Sequence, residues 1–269
     1  MISIKKWIRN VAIGGSIATA AVAGFLAGEY TIGGGFVLPS PIATAHAATS
    51  FPTTKTQEKV MVVGVSIAHG WKDPNDDSYL KRAFQLLSDS TNMTYQYVNK
   101  TIVGGSAMNV PKSEYESWLS TVKPQLVVLS WGFLNDASKN VSPIAVHQAI
   151  LNEISEALAV HAVVLVVSPP VTKASETGYQ TLTNRYVSEE FSAAKSLHNP
   201  NVYTLDVLNQ MRSYLKAHNQ TWQPYFGDSW HPNQVGYQLA GSLLYNDLIE
   251  TFDQSPIQVK TTGSLHNHM

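Results

Sequence analysis

The sequence predicts an α/β fold in which a parallel sheet lies between two layers of helices. Short runs that are apolar throughout alternate along the chain with stretches whose apolar residues recur at helical spacing. Strands that are apolar on both faces are typical of parallel sheets, because helices cover both sides of such sheets. No repeat or internal linker divides the roughly 220 residues after the N-terminal segment, and this length is ample for one core. We therefore expect a three-layer α/β/α sandwich of flavodoxin-like type.

Five apolar runs predict the strands of the sheet. They are rich in Val, Leu and aromatic residues, and turn-forming residues such as Gly, Pro and Asp follow several of them. The predicted strands cover residues 59–65, 96–103, 125–131, 162–167 and 201–206. Helical periodicity predicts helices over residues 75–90, 113–122, 143–161, 181–197 and 232–252. Ser142 and Pro143 fit an N-cap and a first turn, and Pro232 fits the first position of the last helix, where its missing N–H costs nothing.

The N-terminal segment has the pattern of an export signal. Lys5, Lys6 and Arg9 precede an uncharged apolar run over residues 11–28, and Ala45-His46-Ala47 fits a signal-peptidase site. The run is also long enough for an uncleaved membrane anchor, which is the alternative interpretation. We expect a signal peptide or anchor at 1–47, a tether at 48–57, a catalytic domain at 58–253 and a flexible tail at 254–269. The domain is then secreted or on the cell surface, and the absence of cysteine favours a bacterial source.

Composition argues against several classes of protein. The net charge is −1, and it becomes −3 once the first 47 residues, with three basic and one acidic residue, are removed. So small a charge gives no sign of nucleic-acid binding. No zinc-protease, phosphate-loop or dinucleotide motif is present, so we expect neither a metal nor another cofactor. We expect a monomer.

The segment from Gly227 to Asn233 contains the strongest functional signal. Asp228 and His231 are three residues apart, so the carboxylate can hold the ring and stabilise the imidazolium that forms when the ring takes a proton. Three further motifs follow predicted strands: Ser66, Gly105 and Asn135. The carboxyl ends of parallel strands share one edge, where α/β proteins bind ligands, so we expect these groups to converge.

In this chain order the four motifs resemble the signature blocks of the SGNH/GDSL hydrolase family of esterases and lipases. The resemblance covers about residues 58–252 and implies a triad of Ser66, His231 and Asp228. It also implies an oxyanion hole formed by the Ser66 and Gly105 backbone N–H groups and the Asn135 side chain. Two departures are visible: Val65 replaces the usual Asp before the nucleophile, and one extra residue separates Gly132 from Asn135.

Three residues near the motifs are candidates for substrate binding. Trp131 and Trp230 adjoin motif residues, and binding pockets favour aromatic side chains. His69 lies three residues after the nucleophile, and we expect it to line the pocket rather than to act as the base. The run from Gly64 to Ala68 is one substitution from the nucleophile elbow of α/β-hydrolases. In that fold, however, several strands precede the nucleophile, and only one does here.

Three functions fit these observations. The leading one is a serine esterase that removes acyl groups, such as acetyl, from an envelope or extracellular polysaccharide, or hydrolyses lipid esters. The same site could transfer the acyl group to an acceptor sugar, because any bound hydroxyl can resolve an acyl-enzyme. The third is a surface binding protein that keeps the fold with little activity.

Overall fold

A computed structural model describes residues 55–253 and 255–260, together with two short strands nearer the N-terminus. These strands, β1 (Tyr30–Ile32) and β2 (Phe36–Leu38), pair in antiparallel fashion. Apart from them, the predicted signal segment and most of the predicted tether lie outside the described residues. Within the described part of the chain, no helix combines the length and the apolar character needed to cross a bilayer.

The main sheet is built from five parallel strands in the order β4-β3-β5-β6-β7. They are β3 (Thr56–Gly64), β4 (Met93–Asn99), β5 (Leu126–Ser130), β6 (Val163–Val167) and β7 (Val202–Leu205). After β3 the chain adds β4 on one side of it, then crosses back and adds β5, β6 and β7 on the other side. The order of the strands therefore reverses between β3 and β5. Open α/β sheets bind their ligands beyond such a reversal, at the carboxyl ends of the strands.

Helices cover both faces of the sheet. The described residues form α1 (Ser66–His69), α2 (Tyr79–Ser90), α3 (Lys112–Val122), α4 (Leu134–Ser138), α5 (Pro143–Ala159), α6 (Lys173–Glu176), α7 (Gln180–Ser196), α8 (Val207–Ala217) and α9 (Gln234–Phe252). One group contains α2, α9 and α8, and another contains α5, α7 and α3. The α/β/α sandwich predicted from the sequence is confirmed.

A close contact between β3 and β5 positions the start of the site. A Cβ atom at Gly64 would lie 2.2 Å from the Ser130 carbonyl oxygen, so only glycine allows β3 and β5 to pair at Gly64 and Ser130. Ser66 therefore follows the strand next to the reversal, and the loop after Ser130 begins beside it.

Some boundaries differ from those predicted. The last helix begins at Gln234 with Asn233 as its N-cap, because the Asn233 side chain accepts the Gly236 N–H at 2.9 Å. Pro232 therefore precedes the helix and instead forms an isolated antiparallel bridge with Phe226. The helix α8 was not predicted at all, although its buried residues repeat at helical spacing: Val207, Leu208, Met211, Tyr214 and Leu215.

The start of the predicted flexible tail is docked on the domain. Ile257 is buried in the hydrophobic core. The Asn201 side chain donates to the Lys260 carbonyl at 3.1 Å and accepts the Lys260 N–H at 2.6 Å. These contacts fix residues 255–260 beside the beginning of β7, so the prediction of a flexible tail is wrong for this part.

Candidate active site

Ser66 is the first residue of α1, directly beyond the end of β3. Its Oγ atom lies 2.8 Å from Nε2 of His231, and its side chain is buried. The Ser66 N–H belongs to the first turn of a helix, where backbone N–H groups have no partner within the helix. The helix ends after one turn at Gly70, whose φ of 97° is the left-handed conformation that glycine adopts readily. Ser66 is thereby held in a short, rigid turn.

His231 is oriented by Asp228 on the side of the ring away from Ser66. Asp228 Oδ1 lies 2.8 Å from His231 Nδ1, and it also accepts the backbone N–H groups of Trp230 at 2.9 Å and His231 at 3.0 Å. Desolvation acts to raise the pKa of Asp228, but the hydrogen bonds from Trp230 and His231 outweigh it, so the pKa is lowered. Asp228 stays ionised and keeps the proton of the imidazole on Nδ1. The Lys72 ammonium, 3.8 Å from Asp228 Oδ2, adds a partly exposed ion pair that the sequence did not suggest.

The loop that carries Asp228 and His231 is closed on itself. The His231 carbonyl accepts the N–H groups of Gly227 at 2.8 Å and Asp228 at 3.2 Å. Two contacts anchor the outside of the loop, since Ala174 N–H donates to the Ser229 carbonyl at 2.8 Å and Asn233 N–H donates to Tyr225 at 2.9 Å. The ring of His231 is thus fixed by its own short loop and does not depend on the following helix alone.

The extra residue in the third motif is accommodated at Phe133. This residue has a φ of 58°, a left-handed conformation that is uncommon for a side chain of this size. Its ring is buried and stacks on Tyr186 with the centroids 5.6 Å apart, and this packing holds the strained residue in place. The helix α4 then starts at Leu134, so Asn135 and Asp136 lie in its first turn.

The second and third motifs are joined by two side-chain hydrogen bonds. Asn135 donates from Nδ2 to the Gly105 carbonyl at 3.0 Å. Ser106 donates from Oγ to the buried Asp136 carboxylate at 2.5 Å. Burial raises the pKa of Asp136, and the hydrogen bond from Ser106 opposes this. One N–H of the partly exposed Asn135 amide therefore braces the loop, and the other is left for a ligand.

The role predicted for Gly105 needs correction. Its N–H is donated to the Ile102 carbonyl at 3.0 Å, which closes a tight turn, and a Cβ here would come within 2.8 Å of the Ile102 side chain. The glycine is thus required by packing, and in this structure its N–H is not free for an oxyanion. Among the described residues, the N–H of the exposed neighbour Gly104 has no acceptor, and its φ of 75° is a left-handed conformation that glycine adopts readily.

Trp131 does not line the site, contrary to the prediction. Its side chain has no exposed surface, and its indole N–H donates to Oε2 of the buried Glu153 at 2.7 Å. The sequence predicted Trp131 as the last residue of a strand, and in the structure it directly follows β5, but the direction of its ring could not be predicted. Trp230 is partly exposed and lies edge-on to Tyr179, so its role as a wall of the pocket stays a prediction.

His69 bonds away from the nucleophile. Its Nδ1 lies 3.0 Å from Thr101 Oγ1 and 3.2 Å from Asn99 Nδ2, which ties α1 to the loop after β4. Ser66 is paired with His231 instead, and the predicted part of His69 in substrate binding remains untested. No group of three or more His, Asp or Glu side chains that could hold a metal ion occurs in the described ranges.

Comparisons with known proteins give one family match and many structural likenesses. The model of the GDSL-like lipase/acylhydrolase family matches residues 62–239. No curated protein sequence matches the chain. A family 3 carbohydrate esterase from Clostridium thermocellum is similar in structure, with a TM-score of 0.57, 18% identity, and coverage of 73% of this chain and 97% of that one. A lipase/acylhydrolase from Enterococcus faecalis is also similar, with a TM-score of 0.55, 19% identity, and coverage of 72% of this chain and 96% of that one. A member of the lipolytic G-D-S-L family from Veillonella parvula DSM 2008 has a TM-score of 0.56, 17% identity, and coverage of 74% of this chain and 99% of that one.

Proposed function

Since this chain belongs to the GDSL-like lipase/acylhydrolase family, whose members hydrolyse esters, we propose that it is a serine esterase acting through an acyl-enzyme. The observation that carries the proposal is the hydrogen-bonded series from Ser66 through His231 to Asp228, with 2.8 Å at each step. A serine hydroxyl is a weak nucleophile until a neighbouring base takes its proton.

In the proposed first step, Ser66 Oγ attacks the ester carbonyl while His231 Nε2 accepts the hydroxyl proton. The ionised Asp228 stabilises the imidazolium that results. His231 then gives the proton to the leaving alcohol, and the acyl group remains on Ser66. A water molecule deprotonated by the same ring releases the carboxylic acid and restores the serine.

The negative oxygen of each tetrahedral intermediate needs hydrogen-bond donors that are in place before the reaction. We assign the Ser66 N–H and the free N–H of the Asn135 amide to this role. The family resemblance implies the Gly105 N–H as a third donor, but in this structure that N–H is donated to the Ile102 carbonyl, so we assign no third donor. Each donor of this kind is typically worth about 3 kcal/mol of transition-state stabilisation.

We propose a secreted or surface-bound enzyme that removes acyl groups, such as acetyl, from an envelope or extracellular polysaccharide. The export pattern at residues 1–47 supports the location. The likeness to a carbohydrate esterase fits the glycan substrate. A lipid ester is the second candidate, because exposed apolar side chains occur on loops next to the site residues: Trp71, Val103, Met108 and Phe226.

A panel of substrates tests this function. The full chain is assayed on p-nitrophenyl acetate, p-nitrophenyl decanoate and acetylated oligosaccharides, each with and without an acceptor sugar. We expect release of acetate in water, faster from the acetylated oligosaccharides than from the decanoate. Product only in the presence of the acceptor would identify an acyltransferase, and no turnover of any ester would favour a binding protein.

A further inference from the structure

Lys72 has a backbone conformation that is unusual for a residue with a side chain. The Asp73 N–H donates to the Gly70 carbonyl at 2.9 Å, which closes a four-residue turn with Lys72 as its third residue. The φ of Lys72 is 77°, and turns with a positive φ at this position usually have glycine there. A lysine in this place is therefore strained.

Helix capping explains most of the other residues of this kind but does not explain Lys72. A positive φ directly after a helix is an ordinary way to end it, and this accounts for Lys123, Asn140, His161, His198, Asn219 and Asp253. Lys72 lies beyond the end of α1, for which Gly70 already serves as the cap. Strained residues persist where their surroundings hold them, and they concentrate at functional sites.

The turn that contains Lys72 is held by the residues on both sides of it. The Trp71 carbonyl accepts the hydroxyl of Tyr237 at 2.9 Å, and Tyr237 is buried on α9. The Asp73 side chain has no exposed surface, and its carboxylate pairs with Arg82 at 2.7 Å. These contacts fix the backbone on either side of Lys72 and maintain its strained conformation.

The turn contacts the loop that carries the proposed acid and base. A Cβ atom added at Gly227 would lie 3.0 Å from Lys72 Cβ, so the two segments lie against each other. The Lys72 ammonium is 3.8 Å from Asp228 Oδ2. The hydrogen bonds that Asp228 accepts from Trp230 and His231 all end on Oδ1, so Lys72 faces the other oxygen of the carboxylate.

The ion pair between Lys72 and Asp228 acts on orientation rather than on stability. Both side chains are partly exposed, and pairs of this kind contribute little to the free energy of unfolding. The carboxylate can turn about its bond to Cβ, however, and a cation at Oδ2 opposes that rotation. Small displacements of catalytic groups lower the rate strongly, so an oriented carboxylate behind the base favours turnover.

We propose that Lys72 is a positioning residue of the active site, held in a strained turn so that its ammonium orients the Asp228 carboxylate toward His231. This inference rests on the proposed function and deepens it, because it adds a residue that acts on the reaction through Asp228.

Three substitutions separate the charge of Lys72 from its backbone strain. Lys72→Met removes the charge, and kcat on p-nitrophenyl acetate should fall about threefold to tenfold with KM nearly unchanged. Lys72→Arg keeps the charge and should keep kcat within about twofold of the parent. Lys72→Gly removes both charge and strain, so its kcat should fall as in Lys72→Met, while its melting temperature should be no lower than that of Lys72→Met.

Lys123 provides the matched control. It is also an exposed lysine with a positive φ, 51°, but it lies between α3 and β5, at the amino edge of the sheet and opposite the site. Lys123→Met and Lys123→Gly should leave both kcat and KM unchanged.

A second readout does not depend on hydrolysis. The Nδ1–H of a histidine ring that is bonded to a carboxylate gives a proton resonance far downfield of the amide signals, and loss of this signal in Asp228→Asn identifies it in the full chain. We expect the parent and Lys72→Arg to show the same resonance at a given pH. In Lys72→Met it should be broadened or shifted upfield, because the bond between Asp228 and His231 is less well held.

Several results would overturn the role of Lys72. They are an unchanged kcat in Lys72→Met, a loss in Lys72→Arg as large as that in Lys72→Met, or a Lys72→Gly variant that melts below Lys72→Met. Failure of this role can be told from failure of the proposed function. Ester hydrolysis with a kcat and a resonance that do not respond to Lys72→Met rejects only the role of Lys72. A resonance that responds in a protein that hydrolyses no ester rejects only the esterase.

Discussion

The Asn135 amide donates a hydrogen bond to the Gly105 carbonyl at 3.0 Å and so joins the loops that follow β4 and β5. The amide has two N–H groups, and this bond uses one of them. The same side chain can therefore hold the loop and face a substrate. Phe133, in a left-handed conformation between Gly132 and Asn135, turns the chain into α4, and Asn135 then reaches the loop that contains Gly105.

Asn135→Ala should lower kcat by roughly a hundredfold or more and leave KM nearly unchanged. The oxyanion exists only in the transition state, so the lost hydrogen bond does not weaken binding of the ester itself. Steady-state kinetics on p-nitrophenyl acetate measure both constants. Asp136→Ala is the comparison, because Asp136 accepts from Ser106 inside the loop, and its loss should act mainly through a lower melting temperature. A small effect on kcat in Asn135→Ala would mean that the oxyanion is bound elsewhere.

Ser66→Ala should abolish ester hydrolysis, with a loss of roughly four to six orders of magnitude in kcat. The change removes one hydroxyl from a buried site and should leave the circular dichroism spectrum and melting temperature close to those of the parent. Labelling with a fluorophosphonate should disappear as well. Ser229→Ala, an exposed serine between Asp228 and His231, is the matched control and should keep full labelling. Labelling that persists in Ser66→Ala would place the nucleophile at another residue.

Asp228→Asn should lower kcat by roughly three to four orders of magnitude, because an amide can orient the ring in the wrong tautomer and does not stabilise the imidazolium. Hydrogen bonds from Trp230 and His231 lower the pKa of Asp228, so the carboxylate is ionised throughout the neutral range. Because its pKa is lower in the folded protein than its ordinary value of 3.8, the ionised carboxylate contributes to the free energy of unfolding above that value. This contribution is lost as the pH falls through the lowered pKa of the folded state. Acid unfolding followed by fluorescence should start at the same pH in Asp228→Asn but depend less steeply on pH below 4. An unchanged kcat in this variant would argue against the triad.

Gly132→Ala should destabilise the protein by about 1–3 kcal/mol and reduce kcat by roughly tenfold to a hundredfold. An added Cβ would lie 2.9 Å from Val65 Cγ2 and 3.2 Å from Ile67 Cδ1, on both sides of the nucleophile. Shortening the neighbour should relieve the overlap, so Val65→Ala combined with Gly132→Ala should recover part of the activity. Chemical denaturation and kinetics of the two single variants and the double variant give the coupling. Strictly additive effects would show that the two residues do not oppose each other.

Stability should decrease as the pH rises above about 5, because buried carboxyl groups flank Trp131. Burial raises the pKa of Glu153 to about 8, and burial together with the Glu153 charge raises that of Glu190 well above 4.5. The folded protein thus holds protons that the unfolded chain releases. Between the unfolded and the folded pKa, each group therefore lowers the free energy of unfolding by up to about 1.4 kcal/mol per pH unit. Glu190→Gln should flatten the decline in melting temperature between pH 5 and 9, whereas Glu114→Gln, at an exposed position, should not. An identical pH profile in both variants would refute this origin.

The site could be predicted in part because its signals are local in sequence. Asp228 and His231 are three residues apart, which brings a carboxylate to the ring with no long-range information. Ser66 follows a strand whose second half, residues 60–64, is apolar and buried, so its place at the carboxyl edge follows from the parallel sheet.

The predictions that failed depended on contacts between segments that are distant in sequence. The direction of the Trp131 ring is set by its hydrogen bond to Glu153, which lies 22 residues further along the chain on α5. From the family resemblance, the Gly105 N–H was expected to bind the oxyanion. In the structure it donates to the Ile102 carbonyl instead, because the chain forms a tight turn here, and this turn could not be predicted from the sequence. The tail was predicted to be flexible because chain ends are often poorly ordered, yet one apolar residue, Ile257, reaches the core.

The separation of Ser66 and His231 along the chain bears on when activity can begin during biosynthesis. The hydrogen bond between them spans 165 residues, and β4, β5, β6 and β7 are all synthesised in between. In the proposed mechanism, a growing chain therefore contains its nucleophile early and its base only near the end. Until the last part of the domain has folded, the serine has no partner to take its proton. Under the proposed mechanism, an unfinished or still unfolded chain is therefore inactive, and completion of the fold is the step that makes hydrolysis possible.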